Sequence, residues 1–304
     1  MSFPMQQVAR ITALVAGLAT LTGCRPLPDN IAVSSVVAES IRGQLESGAG
    51  ETSGGGEVAV QNPTGWATIR GLVKLSGQAP ARSPLALSGA DAPICSANGQ
   101  LMSEEVLVGG NNELKNVLLL VSSEIRKEPG WVHDDYANTP PLLDEKSGFD
   151  QKNCVFLSRV FAMQASQTVR IYNSDNLGHN TKIAGGEGRG GQAAQAFNQL
   201  VAAGTSIDYS PGGACNLPMA VSCNIHPWMG AYMMVVDHPY FQVTGDDGVY
   251  VLANVPAGVD LELRAWHESK CSFSDSDGEW KKGRKLVKLE PGQELQLDLT
   301  VSLE

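Results

Sequence analysis

Three side chains able to bind metal sit three residues apart in SCNIHPWM (222–229): Cys223, His226 and Met229. A fourth, His179, closes the upstream stretch IYNSDNLGHN (171–180). Thiolate and thioether are soft donors suited to Cu(I), while imidazole serves both copper oxidation states. Two imidazoles and a thiolate in one plane, with a weak axial thioether, form the donor set of mononuclear blue-type copper. His179, Cys223, His226 and Met229 supply that set. A site whose geometry suits neither oxidation state fully changes little when an electron moves, so reorganisation stays small. The apolar neighbours Ile225, Pro227, Trp228 and Met219 would keep water away and tune the potential. Zinc also takes Cys and His, but a structural zinc site recruits four strong ligands, and Met is not one. The competing reading is plain packing: taken alone, His179 reads as a buried structural histidine and Met229 as core filler.

Such side chains need a rigid frame, and the chain reads as all-β. Strand signals run through 67–77, 116–122, 167–173, 231–237, 249–255, 261–267 and 294–303. In the last, Leu295, Leu297, Leu299 and Val301 alternate with polar residues, as a half-buried strand requires. TGDDG (244–248) and PAG (256–258) mark turns between strands. Earlier, 29–49 reads as a short helix with Asp29 or Asn30 as its N-cap, and GETSGGGE (50–57) as a flexible linker.

At the N-terminus, Arg10 precedes the apolar run ITALVAGLATL (11–21), too short to span a bilayer. The run ends in LTGC (21–24), which resembles the lipobox of bacterial lipoproteins. The resemblance implies removal of residues 1–23, a lipid on Cys24, and a membrane-tethered chain in the periplasm or at the cell surface. Residues 24–65 then form an anchor and tether. Removal of Arg10 leaves 21 basic against 32 acidic side chains. A surface this acidic argues against nucleic acid and would suit a basic protein partner. With Cys24 lipidated and Cys223 on metal, Cys95, Cys154, Cys215 and Cys271 remain, enough for two disulfides in any of three connectivities. A Cys215–Cys223 bridge would instead abolish the copper site. The eight-residue spacing of those two cysteines argues against a dinuclear centre.

VRIYNSDNLGHN followed by CNIHPWM resembles the cupredoxins, the small blue copper proteins, and within them the amicyanin type with its C-x-x-H-P-x-M loop. The resemblance covers 154–238 and implies a Greek-key β-sandwich, one type 1 copper and one-electron transfer between protein partners. It matches His179, Cys223, His226 and Met229 to the copper ligands. It matches Asn180 to a residue that ties the two ligand loops by a hydrogen bond near Asn224. It also sets the second histidine near an apolar docking surface, here His226 beside Pro227 and Trp228. The loops GGEGRGGQAAQ (185–195) and GGACNLPMA (212–220) are longer than the family's connections. GLVKLSG, NVLLLVS and VTGDDGVYVLANVPAGVDLELRAW resemble the transthyretin-like sandwich of carboxypeptidase regulatory-like domains. That implies a sandwich split over 66–125 and 239–304 around a copper domain at 126–238, with a sequential arrangement as the alternative.

His133, His238 and His267 form no H-x-H pair, so a trinuclear oxidase cluster is unsupported. SDSDGE (274–279) reads as a turn because Arg284 stands where a calcium loop needs Glu. GEGRGG (186–191) reads as a loop. No nucleophile–base pair or carboxylate dyad assembles from spacing, so the expected role is an electron carrier and not an enzyme. A copper carrier or buffer, and a metal-free cell-surface scaffold, are the rival readings.

Overall fold

In the strand Gly65–Leu75, Ala67, Ile69, Val73 and Leu75 are buried while their neighbours face outward, the two-residue period of a half-buried strand. The computed structural model describes residues 61–144, 148–188 and 191–304. The expected signal segment, Cys24, the helix at 29–49 and the linker at 50–57 lie outside the described residues. Within these, the architecture is β throughout apart from short helical turns such as Ala92–Cys95.

Four sheets enclose two apolar cores. One sheet has the order Val249–Ala257, Gly65–Leu75, Leu299–Leu303, Cys271–Asp275, Gly278–Glu279. Opposite it lies Phe241–Val243, Leu118–Val121, Asp260–Trp266, Arg284–Lys288. Ile69, Val73, Tyr250, Leu252 and Val301 of the first meet Leu119, Val121, Leu261 and Leu263 of the second. At roughly 1.5–3 kcal/mol per buried large apolar side chain, this core is a principal source of stability. Leu118 and Leu120 point the other way, into the second core. That explains the unbroken apolar run in Leu118–Val121: both of its faces are covered.

The second core is closed by two further sheets. One carries Thr168–Asn173 between Ser206–Tyr209 and Phe149–Lys152. The other has the order Val160–Gln164, Gly230–Val236, Met219–Ser222, His179–Ile183, Phe197–Val201. Cys95, Leu87 and Leu101 pack into this second core, whereas Ile125, Trp131 and Tyr136 pack into the first.

Two sequence expectations need correction. The strand expected over 294–303 is two strands, Glu294–Gln296 and Leu299–Leu303, both parallel to Gly65–Leu75. Between them the Leu297 carbonyl comes so close that a Cβ on Gly71 would sit 1.9 Å from its oxygen. Gly71 thus admits the irregularity that splits the strand. The second correction concerns cysteines. One bridge forms among the described residues, Cys95–Cys154, while Cys215, Cys223 and Cys271 are free. Cys215 is buried in the second core and Cys271 packs against the first, so the two have no common site in which to pair.

Candidate metal centre

The segment Cys223–Met229 folds on itself because its backbone groups find partners within it. The Met229 N–H donates to the His226 carbonyl at 2.9 Å, and the Cys223 N–H to the Met229 carbonyl at 3.4 Å. The Cys223 Sγ accepts two backbone N–H groups, from His226 at 3.4 Å and from Asn180 at 3.3 Å. Those two donors fix the position of the sulfur, the atom through which cysteine binds metal. Asn180 lies in the strand His179–Ile183, so this bond joins the loop to the neighbouring strand. A second bond does the same: the Asn224 N–H donates to the Asn180 Oδ1 at 3.2 Å. Asn198 adds a third tie, accepting from the side-chain amides of Asn180 and Asn224.

His179 opens its strand rather than ending the preceding loop. Its Nδ1 faces the Nδ1 of His226 at 2.9 Å, and the Cys223 Sγ stands 3.9 Å from the same His226 nitrogen. The three ligand atoms lie within 4.8 Å of one another, and all three residues are buried. Burial lowers the pKa of His179 although the Asp175 carboxylate beside it pulls the other way. Both imidazoles turn their other nitrogen to a carboxylate: His179 Nε2 to Asp175 Oδ2 at 2.7 Å, His226 Nε2 to Asp91 Oδ2 at 3.1 Å. Without a metal, the 2.9 Å approach of the two Nδ1 atoms needs a hydrogen between them; with one bound, hydrogen on each Nε2, facing its carboxylate, leaves both Nδ1 lone pairs free. Two imidazole lone pairs and one thiolate then converge on one buried point, a donor set that fits a soft or borderline metal ion.

Met229 is buried in the same core, one turn beyond His226. Trp228 stacks obliquely on His226, centroids 5.0 Å apart, and its indole N–H donates to the Cys154 carbonyl at 3.2 Å. The His226 ring itself is 1% exposed and its outer nitrogen faces Asp91, while Ile225 and Pro227 beside it are exposed. The physical reason for the ring's burial is the segment 85–102, which packs against this core and is held by the Cys95–Cys154 bridge. Cys154, Asp175 and His179 also approach one another, but the Cys154 sulfur is already bonded to Cys95. Of the remaining histidines, His133 caps a turn through Asp135 and His238 accepts from the Tyr240 N–H. Asp275 and Asp277 are bound by Lys285 in a turn.

Sequence reasoning did not single out Asp91, Asp175 or Asn198. Asp175 lies four residues before His179, a spacing at which its role was readable in principle. Asp91 is 135 residues from His226 and carries no local signal.

No protein-family model and no curated protein sequence matches the chain. Among solved structures, the copper-containing nitrite reductase NirK from Thermus scotoductus SA-01 is similar at 16% identity and TM-score 0.25, over 29% of this chain and 21% of the reductase. An amicyanin variant in its reduced Cu(I) form aligns at 19% identity and TM-score 0.24, over 29% of this chain and 78% of amicyanin. A purple cupredoxin from Nitrosopumilus maritimus aligns at 20% identity and TM-score 0.22, over 27% of this chain and 81% of that protein.

Proposed function

We propose that the chain holds one copper ion at His179, Cys223 and His226, with Met229 as a weak axial ligand, and carries single electrons between redox proteins. The observation that supports this most directly is the buried convergence of two Nδ1 atoms and one Sγ where the hydrogen-bonded loop Cys223–Met229 meets the strand His179–Ile183. Bound copper would supply a reversible one-electron couple. The protein's part is to hold the donors still. The thiolate accepts from Asn180 and His226, the imidazoles are anchored by carboxylates, and Asn180 and Asn198 fasten the loop to its neighbours. Such a frame resists rearrangement when the charge changes, as an electron carrier requires.

On this reading the chain is tethered by lipid on Cys24 in the periplasm or at the cell surface, and it is not an enzyme. Its acidic excess would favour a partner with a basic docking face. The remaining sandwich, transthyretin-like by its turn pattern, would serve as the platform for the copper-binding part.

The test is to express residues 25–304, add one equivalent of Cu(II), and record visible absorption and electron paramagnetic resonance. An intense thiolate-to-copper band with narrow copper hyperfine splitting, lost in Cys223→Ser, is the expected result. A colourless protein without bound copper overturns the reading in favour of a metal-free scaffold. Tight Cu(I) binding with no fast, reversible redox wave would favour a carrier or buffer.

A further inference from the structure

The outer edge of the candidate centre is closed by an acid from a distant part of the chain. Asp91 occupies the N-cap position of the turn Ala92–Cys95, yet its side chain makes no capping hydrogen bond. An Asp at that position ordinarily accepts from the first backbone N–H groups of its own turn. Here the carboxylate reaches His226 Nε2 instead, at 3.1 Å. Cys95, four residues on, ties this turn to Cys154. Asn153 and Cys154 both have positive φ, and their successive N–H groups donate to the two oxygens of Asp175, at 2.6 and 2.8 Å. That pair of amides forms a small anion-holding concavity. One disulfide therefore joins the arm carrying Asp91 to the cradle holding Asp175.

The two acids differ in surroundings. Asp175 is largely covered, with a side chain 12% exposed, and part of its charge is taken up by the two amides. The Asp91 side chain is 36% exposed and, among the described residues, its carboxylate takes no backbone N–H of its own turn. Each stands one imidazole away from the point on which the donors converge. Counting the thiolate, three negative charges surround that point. A divalent ion there leaves a net charge of minus one; a monovalent ion leaves minus two.

We propose that Asp91 is a positioning residue for His226 whose charge biases the centre towards the divalent over the monovalent ion. This rests on the copper reading above. Removing the charge while keeping an acceptor should weaken the bias, because the less positive ion loses less attraction. Removing the side chain should in addition free the His226 ring and open its edge to water. Outer-shell partners of metal-bound histidines commonly alter affinity by about 10–100-fold.

The experiment uses the full chain with Asp91→Asn, Asp91→Ala and, as a control distant in charge effect, the exposed Asp260→Asn. Reduction potentials are measured by optical titration, and Cu(I) affinity by competition with a chromogenic chelator. In Asp91→Asn the Cu(II)-to-Cu(I) affinity ratio is expected to fall about tenfold, a rise of about 59 mV for a one-electron couple. Asp260→Asn should leave it unchanged. Nitrogen NMR of the metal-free chain should show hydrogen on His226 Nε2 in the wild type and in Asp91→Asn, with tautomer exchange in Asp91→Ala. If the wild type takes up copper and Asp91→Asn shifts the ratio by less than twofold, the proposal is overturned and the copper reading stands. A wild type that binds no copper overturns both.

Discussion

Removing the Cys95–Cys154 bridge should cost the metal-free protein about 4 kcal/mol. The bridge joins residues 59 apart, and closing a loop of that length in the unfolded chain costs about 14 cal/mol/K, hence about 4 kcal/mol at 25 °C. Both cysteines are nearly inaccessible, 5% and 3% exposed, so replacement by alanine adds a small cavity term to the entropic one. The assay is equilibrium unfolding in urea, comparing the wild type with the Cys95→Ala/Cys154→Ala double variant by tryptophan fluorescence. It is best run near pH 5, where thiolates are scarce and exchange with the free Cys215, Cys223 and Cys271 is slow. Because the cross-link acts mainly on the unfolded state, the variant should also unfold with a steeper urea dependence as its chain expands. A loss below about 1 kcal/mol with an unchanged slope would refute the reasoning, since it would mean that the unfolded ensemble never samples the freedom the bridge removes.

Two further outcomes follow from buried charge and buried imidazole. Arg159 binds the carboxylate of Glu268, whose side chain is 4% exposed, and donates to the Gly230 carbonyl at 2.6 Å just beyond Met229. Arg159→Met should therefore destabilise by about 3–5 kcal/mol in thermal unfolding, and Arg159→Met/Glu268→Met should recover most of it. His267 is buried, its Nε2 finds no hydrogen-bond partner among the described residues, and burial pushes its pKa down from 6.5 to about 4, with Arg159 assisting and Glu105 opposing. Between those values the unfolded chain binds the extra proton, so the stability contribution is complete above pH 6.5 and is lost as pH falls towards 4, about 3 kcal/mol in all. In His267→Gln the stability profile should be flatter across that window; an unchanged slope would assign the acid sensitivity elsewhere.

What the chain discloses about its centre depends on how local each contact is. Cys223, His226 and Met229 share one loop closed by its own backbone, so spacing alone suffices to group them. His179 and Asn180 are reached through a strand signal ending in Leu-Gly-His-Asn. The strand they begin stays hidden, because His179, Asn180 and Thr181 are polar yet buried, and no apolar alternation marks it. Phe197–Val201 is hidden for the opposite reason: Asn198, Gln199 and Leu200 are all exposed at the sheet's edge. Leu118–Val121 is visible as a strand, but its burial on both faces depends on two cores that only tertiary structure brings together. Asp91 is the clearest case. Nothing near it in the chain distinguishes it from an ordinary turn aspartate, and its contact with His226 arises only when 85–102 is laid over the second core.

The pairing of Gly65–Leu75 with Leu299–Leu303 has a consequence for the order in which the chain folds as it emerges N-terminus first. The sheet that begins at residue 65 waits for nearly the last residues of the chain before it can close. Every strand of the two sheets around the candidate centre lies between 142 and 236, and the bridge and its aspartates lie between 91 and 175. During vectorial emergence these parts are complete while Gly65–Leu75 still lacks both neighbours, Val249–Ala257 and Leu299–Leu303. The first strand therefore spends the longest time as an open edge, with Ile69, Val73 and Leu75 uncovered. A chain stalled or truncated near residue 290 would possess all four ligand residues and still expose a template for aggregation.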